Sequence, residues 1–368
     1  MLRHPTLTLY FARRFARMAL IIFLVVFVLI AFIDYLELAR RAVQRSNFDA
    51  LIYLMVSLTR VPTVIERALP FTILFAAMAS FVLANRQLEL VVARASGLSA
   101  WQFVLPACLV AVLFGIFATT VFNPVATSLK EESIAILDNT VDGILGTGRG
   151  GTNQQNKPIW IRQSGRDGNS ILGAKSSFNR GLSLSGVSVF VFDPVGALDR
   201  RIDARSAEYS SGEWVLRHGT ITRSGAKPET FDEMRLATDL KPDQVSQQLA
   251  DPQTISFWLL PQFIELSRKA GVPSSGYEMR FQSLLAQPLL FLAMVLVAAT
   301  VSLRFSRSRD LGQVILAGVL VGFVLYVVTE LAFGLGRSGI VAPAVAAWFP
   351  SIVASLASVT VLLYREDG

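Results

Sequence analysis

The chain has 368 residues, 52% of them hydrophobic and 17% charged, with a net charge of +7 and a single cysteine, and its mean hydropathy is +0.50. A soluble chain of this size carries more charge, and one cysteine excludes an intrachain disulfide or a thiolate metal cluster. The apolar excess sits in runs free of Asp, Glu, Lys and Arg, at 18–33, 68–85, 95–129, 281–303, 311–329 and 338–364.

A membrane-spanning helix needs roughly 20 mostly apolar residues. Six are predicted, at about 18–37, 62–84, 98–122, 281–303, 311–335 and 341–363. The stretch "HPTLTLYFARRFAR" before the first is basic and amphipathic and is expected to lie along the cytoplasmic surface. No small-residue cleavage site follows the first apolar run, so that run is not expected to be a signal peptide. Six spans put both termini on one side. Arginines in the short segments favour cytoplasmic termini, ten against six. The cluster Arg40, Arg41 and Arg45 after the first span breaks that bias and calls for a reason of its own.

Between the second and third spans lies "NRQLELVVARASGLSAW", expected to form a short helix over 86–97. Leu88, Val91, Val92 and Ala95 fall at i, i+3, i+4 and i+7 and make an apolar stripe, leaving Arg86 and Glu89 on another face. From periodicity alone this is either a solvated face with a weak ion pair or a docking knob for a soluble partner.

Composition changes from 123 to 280. "KPIWIRQS", "SLSGVSVFVFD", "RIDARSAEYS", "GEWVLRHGTITRS" and "ETFDEMRLATDL" are short, β-prone and separated by turn-forming clusters, which predicts an all-β sandwich or roll over 123–257. Within it Val187, Val189, Phe190, Val191 and Phe192 belong to a run that is apolar on both faces. One face suits the sheet core, and the other needs a cover or a ligand. "PQFIELSRKAGVP" predicts a short helix in a connector over 258–280.

Catalytic machinery is not apparent. His4, His218 and Cys108 are far apart, and no HExxH, GxSxG or Walker A pattern occurs. "GTGRGG" at 146–151 is followed by polar residues rather than a helix and is expected to be a loop. No catalytic residue and no metal site is assigned. An intramembrane hydrolase would need a nucleophile–base or metal pair within the spans.

"RALPFTILFAAMASFVLANRQLELVVARASGLSAWQF", "ISFWLLPQFIELSRKAG", "RFQSLLAQPLLFLAMVLVAATVSLRFSR", "AGVLVGFVLYVV" and "LGRSGIVAPAVAAWFP" together resemble the lipopolysaccharide-export permease family LptF/LptG, and "FIDYLELARRA" is more like its LptG branch. The resemblance implies six transmembrane helices with an inserted periplasmic β-jellyroll: membrane halves over 1–122 and 281–368, the jellyroll over 123–257 and a helical connector over 258–280. It implies an inner-membrane subunit that extracts lipopolysaccharide and passes it to a periplasmic bridge. The implied partners are an LptF-type permease, an LptB-type ATPase dimer and an LptC-type single-helix protein, with no nucleic acid. ATP and Mg belong to the ATPase, and this chain needs no cofactor. Glu89 matches the family's ATPase-docking glutamate, with Arg86 and Arg94 beside it. Arg40 and Arg41 match a basic pair that contacts lipid A phosphates, with Arg45 near; some relatives have a lysine where this chain has Asp34. The alternative is a mechanotransmitting permease whose periplasmic domain binds protein, or the LptF paralogue.

Overall fold

The computed structural model describes residues 5–43, 50–89, 92, 99–145, 159–165, 168–178, 183–193, 197–210, 212–223, 227–238, 252–269, 273–303 and 311–366. Contacts divide the chain into two compact units. One comprises Met1–Ile136, Pro252–Glu265 and Pro273–Gly368, the other Leu137–Asp251 and Leu266–Val272.

In the first unit, α1 (Pro5–Val43), α2 (Ala50–Arg86) and α3 (Ala100–Phe117) precede a π-helical turn (Ala118–Phe122) and the start of α4 (Asn123–Leu145), whose residues from Leu137 belong to the second. After the sheet come α5 (Leu260–Lys269), α6 (Ser275–Ser302), α7 (Leu311–Arg337) and α8 (Pro343–Glu366). Six helical stretches are long and apolar enough to cross a membrane, the third being Ala100–Ser133.

α1, α2, α6 and α7 are longer than the apolar runs that predicted them. The basic stretch before the first span is not a separate surface helix: α1 is continuous over 39 residues, about 58 Å at 1.5 Å per residue. Phe11 and Phe15 are buried, Phe11 packing near Phe103 of α3. Their burial ties the first turns to the bundle. α2 begins twelve residues before the expected 62 and runs through Pro62 and Pro70. The expected boundary at 122/123 falls inside continuous helix, because charge at Lys130–Glu132 marks a change of surroundings, not a helix end.

α2 and α6 form the centre, with 61% of each span's most apolar window buried, against 6% for α1 and 17% for α7. α1 and α7 therefore keep wide apolar faces for lipid or other subunits. Packing of α3 on α6 depends on Gly115: a Cβ there would sit 2.5 Å from the Pro288 Cα. Backbone cannot yield as a flexible side chain can. Gly115→Ala should destabilise the subunit by about 1–3 kcal/mol, seen as a lower thermal midpoint in detergent. An unchanged midpoint would show that α3 and α6 part freely.

The second unit contains an antiparallel sheet of β1 (Ile159–Gly165), β2 (Gly168–Phe178), β3 (Ser183–Phe192), β4 (Leu198–Ser210), β5 (Glu213–Arg223) and β6 (Glu229–Ala237), each paired with the next. β1 and β5 are four strand spacings apart, about 19 Å on a flat sheet. Yet the Trp214 indole of β5 donates a 2.9 Å hydrogen bond to Gln163 Oε1 of β1. The sheet is therefore strongly curled, and its inner face encloses Leu172, Leu184, Val189, Ile202, Trp214, Leu216 and Leu236.

Candidate functional site

At the end of α2 the expected amphipathic helix is interrupted. α2 runs on through the exposed Arg86, and Leu88 then adopts a left-handed backbone with φ +58°, a conformation uncommon for a non-glycine residue. That turn rotates the register assumed by a helix over 86–97. Leu88 and Val92 are 61% and 67% exposed rather than packed on the bundle. Glu89 instead turns inward. Arg14 of α1 forms an ion pair with it, the two side chains being 11% and 29% exposed. The Tyr10 hydroxyl donates to Glu89 Oε1 at 3.0 Å, and Arg14 Nη2 donates to Gln87 Oε1 at 2.6 Å. Tyr10 and Arg14 lie one helical turn apart on α1, so one helix face supplies both donors. The result is a carboxylate held by one guanidinium nitrogen and one phenol hydroxyl, flanked by two uncovered apolar side chains. Arg94 and the rest of the 86–97 segment lie outside the described residues, as does 146–151.

At the opposite end of α1, Arg40 is exposed and the helix continues through Arg41 to Val43. Arg45 lies outside the described residues. Asp34 Oδ1 is 3.9 Å from Arg60 Nη2 of α2. Asp34 thus offsets the Arg60 charge.

β3 splits its five candidate residues. Val187, Val189 and Val191 point inward and are at most 1% exposed. Phe190 and Phe192 fall on the other face and are half-buried. Arg201 stands 5.5 Å above the Phe190 ring, so a cation covers part of the second apolar face.

A polar cluster inside the first unit was not found from the sequence. Glu66 of α2, 5% exposed, accepts from Asn123 Nδ2 at 3.1 and 3.2 Å and from Arg280 Nη2 of α6 at 2.8 Å. Asn123 Oδ1 accepts the Phe257 backbone N–H at 2.9 Å. The available signal was an acid near one span and an isolated arginine at the start of another, since charges there need partners.

Among the described residues, six helices able to span a membrane are interrupted by a curled antiparallel sheet, the architecture of a multi-pass membrane protein with a folded insertion. The lipopolysaccharide export system permease LptF/LptG family matches residues 9–365, and the chain belongs to that family. It is 23% identical over 346 residues to the lipopolysaccharide export system permease protein LptG of Escherichia coli K12, covering 92% of this chain and 91% of the relative. It is 29% identical over 163 residues to the protein of the same name from Haemophilus influenzae, covering 43% and 45%. The chain is a multi-pass inner-membrane permease subunit of lipopolysaccharide export rather than an enzyme. The protein-binding mechanotransmitter is not favoured.

Proposed function

We propose that the chain is the LptG-type subunit, paired with an LptF-type permease above an LptB-type ATPase dimer and accompanied by an LptC-type single-helix protein. The full-length match to relatives named LptG supports this reading. The thinly covered faces of α1 and α7 suit packing against other subunits. The termini face the cytoplasm and the sheet unit faces the periplasm, in keeping with the arginine bias. The curled sheet is a jellyroll that carries acyl chains onward along its inner face once the packing that buries Val187, Val189 and Val191 opens. Arg40, Arg41 and Arg45 bind lipid A phosphates at headgroup level, where arginine forks favour phosphate oxygens. That use accounts for basic residues on the side where topology disfavours them.

The observation that carries the coupling part is Glu89, with Leu88 and Val92 uncovered beside it. Glu89 docks the ATPase, Arg86 and Arg94 flank the contact, and Arg14 keeps the carboxylate in place. Glu89→Arg should abolish co-purification of the ATPase, because like charges then face a basic groove and stay desolvated. The double exchange R14E with E89R restores an internal ion pair but presents the wrong charge to the partner. It should therefore still fail to recover the ATPase. Full recovery by the double exchange would show that Glu89 serves only the internal pair.

A further inference from the structure

The segment Pro252–Thr254 and the residues that follow carry the chain from the sheet back into the membrane unit. Within that unit they are fastened at several points. Arg67 of α2 bonds Gln253. Asn123 takes the Phe257 backbone N–H. The Phe257 ring stacks on Phe281 of α6, with centroids 5.4 Å apart and planes 12° from parallel.

The Trp258 indole donates to the Thr120 carbonyl at 3.1 Å. That carbonyl has a specific reason to need a donor. Residue 124 is proline, which has no N–H to give to the carbonyl four residues earlier. The π-helical turn Ala118–Phe122 lies at the same place, and such turns often mark functional sites. Asn123, fully buried, then joins the segment to the charges. Its amide nitrogen serves both oxygens of Glu66 while its oxygen serves Phe257. Arg280 completes the pair, and its Nε finds no acceptor among the described residues. A charge pair in such surroundings is costly to bury, and apolar side chains would hold helices together as well. Its placement under the returning segment suggests a task beyond cohesion.

We propose that Glu66 and Arg280 are positioning residues for export. Their ion pair, acting through Asn123, fixes the returning segment to α2, α4 and α6, so that displacement of these helices is delivered along the chain toward the sheet. This deepens the export reading and rests on it. The quantity that tests it is lipopolysaccharide released per ATP hydrolysed by the complete complex in proteoliposomes. Glu66→Gln keeps the shape and an acceptor but drops the charge. It should lower this ratio about tenfold or more, with ATP hydrolysis retained. Trp258→Phe removes the donor and one ring of a side chain that is 61% exposed, and keeps an aromatic ring beside Phe257; the ratio should fall about threefold or more. Should the Glu66 variant fail to assemble, the Trp258 variant decides. Ratios equal to the native complex in the assembled variants overturn the proposal. Absence of ATP-driven release by the native complex itself would instead overturn the export reading.

Discussion

Glu66→Ala is expected to destabilise the folded subunit by about 3–5 kcal/mol, because it leaves Arg280 buried without its countercharge. The side chains are 5% and 16% exposed, so water cannot replace the lost partner easily. Asn123 loses the acceptor for its amide as well. Removing both charges together, as Met at 66 and 280, should recover most of that stability, since a pair of similar volume and no charge avoids desolvation. Thermal unfolding in detergent of the single and double variants measures this. A single variant as stable as the native protein would mean that Arg280 readily finds another partner. If the double variant regains stability but not release per ATP, cohesion and positioning are separated.

Loss of both Arg40 and Arg41 is expected to weaken lipopolysaccharide capture more than tenfold. Each charge-assisted contact contributes about 1.5–3 kcal/mol net, and α1 continues unbroken through Val43, so both positions lie on helix. On the proposed reading the pair binds lipid A phosphates at headgroup level while the acyl chains stay among the helices. Lysine at both positions should rescue in part, because charge is kept and the bidentate fork is lost. Crosslinking of lipopolysaccharide to a probe on α1 compares native, double-Ala and double-Lys proteins at equal assembly. Equal yields in all three would show that these arginines only anchor α1 in the headgroup layer.

The six spans were legible because lipid immersion excludes charge, and charge-free runs are visible in any sequence. Their true ends were not. α2 begins at Ala50 and takes in Arg60, whose charge meets Asp34 of α1, while Glu66 and Arg67 inside the expected 62–84 meet Arg280 and the Gln253 side chain. Five strands were visible from their Val, Ile, Phe and Thr content. β2, "GNSILGAKSSF", was missed, since glycine and serine fill much of it, and Leu172 and Ala174 are its buried apolar side chains among the described ones. Periodicity placed Leu88 on a packed stripe, and one left-handed residue undid that placement. The two polar clusters join residues 75 and 214 positions apart. No spacing rule reaches so far, whereas the family resemblance could single out Glu89 and Arg40 without knowing their neighbours.

The most direct measurement reconstitutes this chain with its partner permease and the ATPase in proteoliposomes containing lipopolysaccharide, and follows transfer to a soluble acceptor. Release should require ATP hydrolysis and should disappear when this chain is omitted. Release that proceeds equally without ATP or without this chain would contradict its assignment as an export permease subunit.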